Sequence, residues 1–182
     1  MIIMAYSDHK RPGIAKRTAL GGMTAALGLV VMYIGAVLGL LDMSAAVFAS
    51  LLLVAVISEC GRLDALCVFS VTAVLSWLLL PNRSPALMYT AFLGYYPIIK
   101  PTFDRMRRLW GWLLKLLLLN AAVSAAYLVW HFLLTPEADE VMLLWLWYPL
   151  VNAAFVLYDI ALGRIIRLWV IKLRRIFGFG RK

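Results

Sequence analysis

The 182 residues comprise 64% hydrophobic and 15% charged side chains and carry a net charge of +9. A soluble domain carries about 25% charged residues, so this composition excludes an ordinary water-facing globule. The positive charge lies in short stretches between apolar blocks, a pattern that a membrane surface accounts for without calling on nucleic acid.

The chain opens with a basic tail, residues 1–17, MIIMAYSDHKRPGIAKR. Its apolar part precedes the charges and no small-residue cleavage site follows, so it does not read as a cleaved signal peptide and the first apolar block is expected to be retained. Six apolar blocks follow between residues 18 and 163. A helix needs about 17–25 residues to cross a hydrocarbon core roughly 30 Å thick, and on this measure the blocks read as membrane helices.

The first block, Thr18 to Leu41, places Gly21 and Ala25, Gly22 and Ala26, and Gly35 and Gly39 four residues apart. Small residues at that spacing let helix backbones approach closely in lipid. The stripe reads either as a docking face for a membrane partner or as packing within the same bundle. The second block, Ser44 to Ser58, is short and carries a similar pair, Ala45 and Ala49. In the turn SECGRLD, Glu59, Arg62 and Asp64 are expected to pair with one another at an interface, and Cys60 and Cys67 to be buried, inert thiols, since their spacing suits neither a metal nor a disulfide framework.

The third block runs from Leu63 to Leu80 and ends in the turn PNRSP, which carries Arg83. The fourth, Ala86 to Ile99, is again short and passes into FLGYYPIIKPTFDRMRR. There Pro97 and Pro101 are expected to bend or end the helix, with Lys100, Asp104 and Arg105 forming a rigid elbow at the membrane boundary. The fifth block, Leu109 to Leu134, holds Lys115 about two turns from its start, a position from which a lysine can snorkel to the interface. The sixth, Val141 to Gly163, holds Asp159 near its end. A carboxylate at that depth needs a partner, and an ion pair with Lys100, or with an arginine at 105, 107 or 108, is expected to clamp the elbow to the last helix. Residues 164–182 then read either as a basic amphipathic extension suited to an anionic leaflet or as a plain positive stop that anchors the last span.

Six crossings with both termini cytoplasmic place every basic cluster inside and leave Arg83 as the one outer cation, with Asp42, Glu137, Asp139 and Glu140 on the outer connections. The positive-inside rule thus favours an all-α, six-helix bundle with both termini cytoplasmic, for which a plasma (inner) membrane is the expected location. Toward the outer face stand Arg83, Tyr89, Trp130, His131 and Tyr148, which read either as part of an interfacial aromatic belt or as the lining of a small-molecule pocket. No hydrolase, metalloprotease or phosphate-loop motif is present, and neither a catalytic residue, a cofactor nor a metal site is expected.

In size, six-span layout, cytoplasmic termini and a small-residue-rich first helix following AKRTAL, residues 14 to 175 resemble the substrate-binding S components of energy-coupling-factor transporters. The resemblance implies a bilayer-embedded binding component for a micronutrient, docked on a transmembrane coupling subunit that works with two ATPases. The docking face would be Gly21, Gly22, Ala25 and Ala26, with glycine where that family has alanine, and the elbow at Lys100, Asp104 and Arg105 would meet the energising subunit. A non-transporting scaffold of cell-envelope or cell-shape machinery is the alternative, and a lipid-acting enzyme using Asp104 a third reading.

Overall fold

A computed structural model of the chain describes residues 13–39, 41–129 and 144–168, and these are all-helical with no strand among them. The helices are α1 (Ile14–Leu38), α2 (Asp42–Glu59), α3 (Arg62–Leu79), α4 (Ser84–Met88), a π-helical segment (Tyr89–Leu93), α5 (Tyr96–Phe103), α6 (Arg108–Val129) and α7 (Leu144–Leu168). Five of them, α1, α2, α3, α6 and α7, are long and apolar enough to cross a membrane. Their outward faces are apolar as well: Ile34 and Val37 on α1, Val74 and Leu78 on α3, and Leu117 on α6 are all exposed. An apolar exterior on this scale is a surface for lipid rather than water.

The second apolar block is a full helix. It begins at Asp42 rather than Ser44, which places a carboxylate in the first turn, where the backbone dipole favours it. Asp42 Oδ2 also accepts from Asn82 Nδ2 at 2.7 Å, tying the start of α2 to the turn before α4. The last helix runs through Gly163 to Leu168, so Arg164 and Arg167 lie on α7 itself. The basic tail before Gly13, the connection around Pro136 and the extension beyond Leu168 lie outside the described residues.

Small residues set the packing of the first half. Gly21, Ala25, Gly28, Gly35 and Ala36 line the buried face of α1, and Ala45, Ala46, Ala49 and Ser50 that of α2. A side-chain carbon on Gly28 would stand 3.6 Å from the Ala49 methyl, so the two backbones already lie close. Gly39 serves differently from the packing expected of it. With φ of 68° it ends α1 in a left-handed turn, its N–H donating to the Gly35 carbonyl at 3.0 Å. α2 touches α1, α3, α4, the π segment, α5 and α7, and so forms the axis of the bundle.

The fourth apolar block is one interrupted helical path from residue 84 to 103. The N–H of Gly94 reaches back to the Tyr89 carbonyl at 2.8 Å, a bond one residue longer than an α-helical one. Pro97, three residues on, offers no N–H and would crowd the carbonyl of Leu93, so the frame breaks at Gly94 and Tyr95 and α5 restarts with Pro97 in its first turn. Pro101 neither bends the path to an end nor stops it; α5 continues to Phe103. Gly94 is required by contact, since a side-chain carbon there would meet the Phe69 ring and come within 2.9 Å of Tyr89 Cε1.

Candidate functional site: an ion cluster beneath an apolar cavity

The elbow and the last helix meet in a buried polar knot. Asp159, with its side chain 6% exposed, accepts from Lys100 Nζ and from the Tyr96 hydroxyl on Oδ1, while Lys115 Nζ lies 3.2 Å from Oδ2. Lys115 Nζ also reaches Asp104 Oδ1 at 2.5 Å, and Lys100 Nζ stands 3.7 Å from Asp104 Oδ2. Two lysines therefore face two aspartates, and the group as a whole is neutral. Lys100 additionally donates to the Asp159 backbone carbonyl at 3.1 Å. α5, α6 and α7 are joined at this one point.

Of the cations that sequence offers to Asp159, the structure brings up Lys100, while Arg105 and Arg107 are exposed and the Arg108 side chain lies outside the description. It adds Lys115, which does not snorkel: its side chain is 5% exposed and turned inward, with Nζ 5.3 Å from the centre of the Trp112 ring. The signal for this was a lysine and an aspartate each placed about two turns inside neighbouring apolar helices. Each alone is costly in hydrocarbon, and together they offset one another. The SECGRLD turn also pairs outward from itself. Asp64 takes a two-pronged bond from Arg17 of α1 at 2.7 and 2.5 Å, and Arg62 donates to Thr102 of α5 at 3.0 Å. Cys60 is buried at this turn and burial pushes its thiol up; Cys67, by contrast, is exposed on α3.

Above the ion cluster lies an aromatic layer. Tyr96 stacks on Phe92 with ring centres 4.9 Å apart, and Phe155 meets both rings edge-on at 5.4 and 5.2 Å. Tyr158 packs against Tyr96 at 5.8 Å and its hydroxyl shares a 2.8 Å bond with Ser50 of α2. This layer floors a cavity of about 400 Å³ between α2, the α4 and π segments, α6 and α7, with Val47, Ala91, Leu119, Val151 and Ala154 among its walls. Among the described residues no charged side chain lines it.

Of the five outward residues, three are described, and of these Tyr148 lines the cavity, its hydroxyl bonded to Ser124 at 2.9 Å. Tyr89 is 1% exposed and belongs to the core between α1, α2 and α3, against Phe69. Arg83 is turned onto Trp77, 6.0 Å from its ring centre and bonded to its backbone carbonyl. Trp130 and His131 lie outside the described residues. The small-residue stripe on α1 divides: Gly21 and Ala25 are buried, Gly21 facing Val68 of α3, whereas Gly22 and Ala26 are exposed. Asp104 keeps 41% of its side chain exposed beside the buried Lys100.

Sequence reasoning missed Asn120, which forms a reciprocal amide pair with Asn152 across α6 and α7, both bonds 3.2 Å long. Among the described residues no three His, Cys, Asp or Glu side chains stand close enough to share a metal ion. Comparison with protein-family models, with curated proteins and with solved structures returns no match.

Proposed function

We propose that this chain is the substrate-binding component of an uptake transporter of the energy-coupling-factor type, crossing the inner membrane of a prokaryote six times with both termini cytoplasmic. The observation that carries the reading is the 400 Å³ cavity at the end of the bundle away from the basic residues. Ligand pockets commonly span about 300–1,000 Å³, and a bundle serving only as a scaffold has no need of one. The sixth crossing is residues 84–103, a helical path about 30 Å long at 1.5 Å per residue. Orientation is supported by Arg17, Arg62, Arg105, Arg107 and Arg164 falling at one end of the described helices, against Arg83 at the other.

The exposed pair Gly22 and Ala26 is the part of α1 left to receive a coupling subunit, with the elbow at Lys100, Asp104 and Arg105 at its cytoplasmic side. Energy comes from the partners, two ATPases acting through that subunit. Capture of the tagged protein from its native membrane in mild detergent is expected to bring down a transmembrane coupling subunit with two ATPases, and Gly22→Leu to abolish the capture. Recovery of cell-envelope proteins instead, with no ATPase, establishes the scaffold reading, which the closed packing around Tyr89 favours.

A further inference from the structure

The cavity has a defined length as well as a volume. On α7 it extends from Tyr148 to Tyr158 and on α6 from Leu119 to Tyr127, which at 1.5 Å per residue is about 12–15 Å. Half of a hydrocarbon core roughly 30 Å thick is the same distance. The cavity therefore runs the depth of one leaflet, from the level of Ser84 and Tyr127 down to the aromatic floor.

Its walls are built for hydrocarbon. Tyr148 and Tyr158 spend their hydroxyls on Ser124 and Ser50, and so contribute rings rather than polar groups. The buried charges of Lys100 and Asp159 lie behind Tyr96 and Phe155 and are matched to each other. An ionised group entering here loses its water and meets no counter-charge among the described lining residues.

We infer that the cavity holds one hydrocarbon chain of an amphiphile drawn from the adjoining leaflet, its tail on Phe92 and Phe155 and its polar end level with Ser84 and Tyr127. The inference rests on the cavity being the binding site of the proposed function and narrows the substrate to a lipid-soluble class. A single-chain ligand and the acyl tail of a bilayer lipid present the same chemistry to these walls, and the test separates them.

The full-length protein in phosphatidylcholine nanodiscs is irradiated with diazirine-bearing hexadecanol in one arm and with phosphatidylcholine carrying the diazirine on an acyl chain in the other, and labelled peptides are mapped by mass spectrometry. Labelling at Ala91, Ala122 and Ala154 is expected to exceed that at the lipid-facing Val30 and Val74 by about tenfold, one decade of preference. Ala154→Trp, which fills the cavity from a partly open wall, is expected to remove that excess, whereas Ala153→Trp, outside the cavity, leaves it. Ala126→Trp repeats the test if the first variant does not fold. Excess labelling by the alcohol alone identifies a single-chain ligand, and excess by the phospholipid identifies a bilayer tail; both uphold the inference. Even labelling over all apolar faces, unchanged by Ala154→Trp and Ala126→Trp, overturns it. Capture of the coupling subunit and ATPases is read separately, so even labelling with successful capture removes the hydrocarbon chain and spares the transporter reading.

Discussion

Asp159→Asn removes the charge on which Lys100, Lys115 and Tyr96 converge. Breaking one side of a buried ion pair costs about 3–5 kcal/mol, because the remaining charge is left without its partner. The lower end, about 3 kcal/mol, applies here, since Lys115 keeps Asp104 at 2.5 Å while Lys100 retains only Asp104 at 3.7 Å and a backbone carbonyl at 3.1 Å. At about 2–4 °C per kcal/mol for a chain of this length, the melting temperature is expected to fall by about 6–12 °C. Intrinsic tryptophan fluorescence during heating of the detergent-purified protein reads this directly. Lys100→Met combined with Asp159→Leu takes out both charges and leaves Lys115 balanced by Asp104, so the double variant is expected to melt above Asp159→Asn. The cavity lies on the far side of the aromatic layer, and its labelling by the alkyl probe is expected to persist in Asp159→Asn. A variant that melts as the parent does but loses the label would refute the clamp and make Asp159 a ligand residue.

Gly94→Ala forces a methyl group into the Phe69 ring and is expected to destabilise by about 1–3 kcal/mol, measured by the same melt; an unchanged melt shows that the ring moves aside freely. Asn120→Leu and Asn152→Leu each break the amide pair between α6 and α7. A double-mutant cycle is expected to give a coupling of about 0.6 kcal/mol, the average for hydrogen bonds between membrane helices, and at most about 1.7, and a value of zero places the two amides in independent sites. The Arg17–Asp64 pair keeps about a quarter of each side chain exposed, 28% and 25%. Asp64→Asn is therefore expected to lower stability by less than about 1 kcal/mol, and a loss as large as that of Asp159→Asn contradicts the ranking of the two pairs by burial.

The sequence alone determined that the chain is helical, with runs long and apolar enough to cross a membrane, because the length of an apolar run against the thickness of a bilayer is a one-dimensional quantity. It also located the fourth helix's irregularity at Pro97, whose missing N–H is a property of the residue itself. It singled out Asp159 and Lys100 because a charge in hydrocarbon announces its need for a partner wherever it stands.

What it did not decide was which side chains face each other. Tyr89 and Arg83 are outward-looking aromatic and cationic residues when read along the chain, but Tyr89 packs into the core against Phe69 and residues of α1, α2 and α3, and Trp77 draws Arg83 aside. Gly21 and Gly22 are neighbours of the same type, yet 100° of helical rotation buries the first against Val68 and leaves the second exposed. Lys115 shows the same limit. A lysine two turns inside a helix can reach back to the interface or inward to a carboxylate, and only the approach of α5 and α7 to α6, which brings Asp104 and Asp159 to the same point, makes the inward direction the favourable one. The cavity, too, belongs to no single segment; it is the space left between four of them, and its apolar, leaflet-long shape exists only once the helices are placed.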